Sequence, residues 1–227
     1  MGKKKSFPIA GPGQSEKRSF AMPDITAEPE GNVIQGHAAV FGQTTNMYNC
    51  WNETIARGAF DRTDFTDVLF SINHDLDDIP LARSRNNNAN STLQLQVDDQ
   101  GLNTRAVLDI ENNNDAKALY GSIARGDMSG MSFIFSVSDD EWTGLDTDMP
   151  SRTILSIRKV FEVAAVSFPA YSGADLNARD ATALESAKAA LENARAKELE
   201  SSNEQRNQEA TKELELLKLK NQIKMKG

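Results

Sequence analysis

The sequence has a single cysteine, Cys50, and only two histidines, His37 and His74. One cysteine cannot form an intrachain disulfide, so a reducing compartment is the default reading. With so few soft ligands a structural zinc site lacks its usual donors, and nothing in the chain calls for another metal or cofactor. No apolar run approaches the length of a membrane span, which argues against a membrane partner. Positive charge is also short: 25 Lys+Arg stand against 33 Asp+Glu, a net charge of −8. Gripping nucleic acid requires a basic face that displaces counterions, so that class is set aside. The opening MGKKKS has no signal-peptide core behind it. It matches a Met-Gly-x-x-x-Ser acylation pattern, but the match is short and a flexible basic terminus is the simpler reading.

What is present divides unevenly along the 227 residues. Residues 182–227 carry nine Lys/Arg and eight Asp/Glu, a net +1, which leaves −9 on residues 1–181. Residues 1–31 are rich in Pro, Gly, Ser and charge, and read as a flexible arm that at most ends in an edge strand. Residues 32–171 hold mainly short strands between turns. DVLFSIN (67–73) is an apolar run of strand length, and TLQLQV (92–97) turns at DDQG into LNTRAVLD (102–109), a hairpin signature. NNDAKALYGSIARG (113–126) differs, with an Asn/Asp start, Ala116, Leu119, Tyr120 and Ile123 at helical spacing, and a glycine stop. MSFIFSV (131–137) and RTILSIRKVFEVAAVSFP (152–169) return to strands. Many strands with one inserted helix predict a mainly β, α+β fold, with a closed or nearly closed barrel favoured over a parallel α/β sheet.

After a linker at 172–181 the pattern changes. Residues 182–227 contain no Pro, and their only Gly is the last residue. Leu184, Ala187, Leu191 and Ala194 form one helical stripe, and Leu216, Leu219 and Ile223 another, with polar SSNEQRNQEA between them. This predicts a long exposed helix, as a coiled coil, a homo-oligomer contact or a partner-binding tail; a solvated single helix is the plainer alternative.

Three residues have chemistry to offer. Ser132 follows Gly126 and Gly130, and alternation from Phe133 onward places Phe133, Phe135 and Val137 on one face and Ser132, Ile134 and Ser136 on the other. A phenylalanine-packed face would hold Ser132 rigid, as a nucleophile requires. Locally, though, a serine at a strand start reads first as a structural residue. His74, in SINHDLDDIP, sits at a strand exit where a general base can stand, but Asp75, Asp77 and Asp78 favour its cation and a surface loop histidine is the favoured local reading. His37, within an apolar strand, reads as a packed or edge residue. Glu162 is the only charged side chain in VFEVAAVSFPAY (160–171). A carboxylate there needs compensation: it points outward, meets an arginine such as Arg158, or orients a histidine.

ETIARGAF (53–60), INHD (72–75) with IPLARS (79–84), GMSFIF (130–135) and EVAAVSFPAY (162–171) occur in that order. Together they resemble the signature blocks of the caudovirus prohead serine protease family, of the HK97 type, from about Gly36 to Tyr171. That resemblance implies a herpesvirus-assemblin-like β-barrel decorated with helices. It implies a catalytic histidine at His74 and a nucleophile at Ser132, and the Glu of EVAAVSFPAY, Glu162, matches the acidic third member. It also implies cleavage of the scaffolding segment of the major capsid protein, and of the protease itself, inside the assembling prohead in a bacterial host. Ile134 departs from the family's usual glycine, and EVAAV from the commoner EVSVV. Neither removes a proposed catalytic group, and Ile134 bears on substrate preference. Two rivals stand beside this reading: a non-catalytic assembly or scaffolding protein that works through its tail, and a cysteine hydrolase pairing Cys50 with His37 or His74. Cys50 lacks a glycine turn or helix start to lower its pKa.

Overall fold

The computed structural model describes residues 15–20, 24–29, 31–47, 49–167 and 181–224. Two compact units divide the chain, residues 1–187 and residues 188–227. The first holds every described strand and the shorter helix. In chain order its elements are β1 (Ser15–Phe20), β2 (Thr26–Ala27), β3 (Val33–Val40), β4 (Thr45–Met47), β5 (Trp51–Ile55), β6 (Asp67–Ile72), β7 (Ala82–Arg85), β8 (Leu93–Val97), β9 (Gly101–Val107), α1 (Asn114–Ala124), β10 (Gly130–Thr143) and β11 (Ser151–Val166). The fold is α+β and dominated by strands, as the alternation predicted. Among the described residues the hydrogen-bonded strands group as a seven-stranded and a four-stranded sheet.

The seven-stranded sheet is organised by β11. Its sixteen residues pair antiparallel with β10 along one edge. Along the other edge β5 lies parallel to Ser151–Ile154 and β6 parallel to Glu162–Ala165. β1 closes the far side of β10 as an antiparallel edge strand, with Ser15 opposite Ser136 and Ser19 opposite Ser132. Irregular register between Ile134 and Asp140 bends β10, the usual effect of extra residues in a ladder. The four-stranded sheet runs β2-β3-β9-β8. Its β8–β9 turn is cut tight by Asp98, whose Oδ1 accepts from the N–H groups of Gln100 (2.8 Å) and Gly101 (2.9 Å). A Cβ on Gly101 would lie 1.9 Å from the Ala39 carbonyl oxygen, so no other residue fits there.

Phe133 and Phe135 stack at 4.2 Å between ring centroids and are fully buried with Phe70, Leu93, Leu102 and Ile157. Each such side chain contributes roughly 1.5–3 kcal/mol by burial. α1 begins where the Asn113 side chain accepts from the Asp115 and Ala116 N–H groups and buries Ala116, Leu119 and Ile123. It stops before Gly126, at φ 79°. Tyr120 of the expected stripe is only partly buried, and its hydroxyl donates to the Glu28 carbonyl.

Two strands, β1 and β2, fall within the stretch whose composition reads as an arm. The second helix, α2 (Ala181–Lys224), is continuous for 44 residues and exposes Leu199, Leu214, Leu216 and Leu217. The linker positions 172–180 and the first fourteen residues lie outside the described residues, as do the side chains of Leu184, Ala187, Leu219 and Ile223. No described helix is long and apolar enough to cross a membrane.

Candidate active site

The register of three neighbouring strands sets the site. Ser132 on β10 and Ser71 on β6 both lie opposite Ala164 on β11. Two residues along, Glu162 lies opposite Ile134 on one side and Leu69 on the other. Directly opposed residues in a sheet share a face, so Ser132, Glu162 and Ser71 converge on one surface. In that register Ala164 stands between the two serines.

The histidine reaches that surface from a tight turn. β6 ends at Ile72, and Asn73 and His74 both take left-handed φ values, 51° and 61°. The Asp75 N–H closes on the Ile72 carbonyl at 3.0 Å, giving a type I′ turn. Asn73 fixes it to β11: its N–H donates to Ala165 O (2.9 Å), and its Oδ1 accepts from Ser167 N–H (3.0 Å). Asn and His are among the residues that tolerate this backbone region, and its cost is sustained where surrounding bonds over-determine it.

From the turn, the His74 ring spans the gap. Nδ1 lies 2.8 Å from Glu162 Oε2, and Nε2 lies 2.6 Å from Ser132 Oγ. The Ser71 hydroxyl donates to the other Glu162 oxygen, Oε1. All three members are buried, with side-chain exposures of 6% for His74 and 1% for Glu162, and none for Ser132. An ionised Glu162 accepts hydrogen bonds and donates none, so Nδ1 carries the proton and Nε2 turns a lone pair toward the Ser132 hydroxyl. That is the arrangement in which a histidine accepts a hydroxyl proton while a carboxylate stabilises the resulting cation.

Glu162 therefore bonds to His74 and Ser71, while Arg158 is exposed. Ser71 is a partner that no sequence signal singles out. Ile134, the departure from the family pattern, is half-buried between Glu162 of β11 and Lys17 of β1 in the sheet register.

The two rings on which the cysteine alternative depends meet oxygen atoms. His37 Nδ1 lies 2.5 Å from Asp24 Oδ2 and its Nε2 lies 2.9 Å from Asp98 Oδ2. Burial alone would lower its pKa, but the hydrogen bonds to Asp24 and Asp98 outweigh burial and raise it above the ordinary value. Both nitrogens of each histidine are thus committed to oxygens, and Cys50 sits in the β4–β5 turn with its N–H on Met47 O. Among the described residues no three His, Cys, Asp or Glu side chains gather as a metal site.

A buried charge cluster lies beside β10. Arg18 of β1 forks onto Glu53 of β5, with Nη2–Oε2 at 3.0 Å and a second bond from Nε to Oε1. Arg152 of β11 bonds Glu53 (3.0 Å), Glu16 (2.6 and 2.9 Å) and Asp140 (2.7 Å). Burial works against charge on Glu16, yet Arg18 and Arg152 prevail and draw its pKa down to about 2.

The sequence model of one family, the caudovirus prohead serine proteases, matches residues 20–189. The chain belongs to that family. The match spans His74, Ser132 and Glu162, and leaves out residues 15–19 of β1 and most of α2. It makes the protein a serine protease of the phage prohead type. No curated protein and no solved structure matches the chain.

Proposed function

We propose that the protein is a head-maturation endopeptidase in which Ser132, His74 and Glu162 carry the reaction, acting inside the prohead on the scaffolding segment of the major capsid protein and on itself. The observation that supports this is the unbroken line Glu162–His74–Ser132, with contacts of 2.8 and 2.6 Å drawn from three separate segments. Ser132 Oγ attacks the peptide carbonyl carbon while His74 Nε2 takes its proton, and His74 then delivers that proton to the leaving amine. Glu162 stabilises the imidazolium, and Ser71 holds the second carboxylate oxygen so that Oε2 stays aimed at the ring. Backbone N–H groups are the donors expected for the oxyanion.

The deciding experiment is co-expression with the capsid protein, read by intact mass. Wild type should shorten the capsid protein, and Ser132→Ala should leave it whole. Equal products from both would return the chain to a non-catalytic assembly role. The four exposed leucines of α2 support a second duty for that helix, pairing with helical scaffold or with another copy. Deleting 182–227 should then lower the amount of protease packaged into proheads without stopping peptide-bond cleavage.

A further inference from the structure

Ser132 has no solvent-exposed surface, and besides the His74 ring its hydroxyl meets the chain's own β1. Ser132 Oγ–H donates to the carbonyl oxygen of Arg18 at 2.8 Å. β1 runs antiparallel along β10 in continuous register from Ser15 opposite Ser136 to Phe20 opposite Met131. A peptide substrate of a strand-mounted serine binds by adding an extended strand to that edge, so β1 occupies the track a substrate would use. The Arg18 carbonyl that contacts Ser132 Oγ belongs to the Arg18–Ser19 peptide bond.

The side chains of β1 are matched to the wall beneath them. Arg18, 2% exposed, enters the interior, lies 5.9 Å over the Phe135 ring and forks onto Glu53, which is itself 2% exposed. Glu16, two residues earlier and on the same face, is held by Arg152. Without β1, Glu53, Arg152 and Asp140 would leave a net negative cradle, the complement of an arginine. A buried carboxylate facing a buried guanidinium is expensive to leave unpaired, so the cradle discriminates strongly against a neutral residue at that position.

We propose that β1 is an internal substrate strand: it masks Ser132 until the Arg18–Ser19 bond is cut, and Glu53 sets a preference for arginine immediately before the cleaved bond, with an acidic residue two positions earlier. This rests on the reading of Ser132 as nucleophile. The Ser132 hydroxyl has one proton and two acceptors within reach, Arg18 O at 2.8 Å and His74 Nε2 at 2.6 Å. With the proton on Arg18 O the strand is parked. Turning the proton to Nε2 frees Oγ to attack the Arg18 carbonyl carbon. The new C–Oγ bond forms, the Arg18–Ser19 C–N bond breaks, and His74 passes the proton to the Ser19 amine. One water then hydrolyses the Arg18 ester, releasing the Arg18 carboxylate and restoring the Ser132 hydroxyl. The freed arm takes Glu16 and Arg18 with it and opens the track to substrates in trans. β1 lies outside the residues matched by the family, apart from Phe20.

The full-length chain, purified as wild type and as Ser132→Ala, tests this by intact mass. Wild type should yield residues 19–227, and Ser132→Ala should keep its arm. A fluorophosphonate probe, which reacts with activated serines, should label Ser132 in the cut chain at least ~10-fold faster than in an Arg18→Gln chain that keeps β1 uncut. Because Arg18→Gln also strips Glu53 of a partner and so loosens β1, a synthetic peptide of residues 14–20 supplies an independent reading. The processed chain should cut it after Arg18, and cut its Arg18→Gln version ~100-fold or more slowly. A chain that labels at Ser132 as fast as the cut chain, or shortens the capsid protein, while retaining residues 1–18, or that cuts both peptides equally, overturns the inference and leaves the nucleophile standing. Absence of labelling, self-cutting and capsid cutting together removes the nucleophile reading, and the inference with it.

Discussion

The chain's two histidines are nearly equally buried, with side-chain exposures of 9% and 6%, and each ring bridges two oxygen groups. They differ in the second partner. His37 meets a carboxylate at both nitrogens, Asp24 and Asp98, and is held toward its cation as a clamp between the segment before β2 and the β8–β9 turn. His74 meets a carboxylate at one nitrogen and a hydroxyl at the other. One carboxylate fixes the tautomer and orients the ring, and the hydroxyl leaves the second nitrogen with a proton to take. Burial does not separate the two rings; the charge of the second partner does.

The largest break in that comparison comes from removing each ring in turn. His74→Ala should lower capsid cleavage by on the order of 10⁴-fold or more and abolish fluorophosphonate labelling of Ser132, while thermal unfolding shows a folded chain. His37→Ala should leave labelling of Ser132 in place. Loss of labelling in both variants would show that the two rings are not functionally distinct. Glu162→Gln comes next. The amide can donate to Nδ1, which moves the ring proton to Nε2 and removes the lone pair facing Ser132. A fall of roughly 10³- to 10⁴-fold in kcat with little change in KM is expected.

The residues whose periodicity agrees with their burial were legible in the sequence: α1, β6, the β8–β9 hairpin, β10 and β11. β1 and β5 were not, because charge sits where strands bury apolar side chains. Arg18 and Glu53 occupy inward positions, and an alternation rule assigns both to solvent. Their burial makes sense only as a pair, brought together by β10 and β11 across 35 residues of sequence. Ser132, His74 and Glu162 were legible through ordered blocks, not local pattern. Ser71 was invisible for the same reason as Glu53: its bond to Glu162 spans 91 residues and exists only because β6 lies parallel to β11 in that register.

A smaller effect separates the histidines by pH. Since the folded pKa of His37 lies above its ordinary value of 6.5, its stabilisation is fully present below the ordinary pKa. It fades as pH rises through the raised one. The gap in stability between wild type and His37→Gln should be on the order of 1–3 kcal/mol near pH 6 and narrow steadily on the alkaline side. Denaturant midpoints measured from pH 6 to 9 check the slope; a gap that widens with pH would mean that the ring is neutral in the folded chain.

The smallest effect concerns how each ring is placed. His37 sits in the β3 ladder, whereas His74 depends on a two-residue turn whose first member, Asn73, takes φ 51° and bonds Ser167 through its side chain. Glycine accepts that φ without strain but cannot make the bond, so Asn73→Gly isolates the side chain's share. A loss of about one hydrogen bond should slow cleavage by a few-fold while the unfolding midpoint moves little. Asn73→Val adds a β-branched residue in the left-handed region and should cost more in both readouts. If Asn73→Gly cleaves as fast as wild type, the bond from Asn73 N–H to Ala165 O is enough to aim the imidazole, and the turn needs only its backbone.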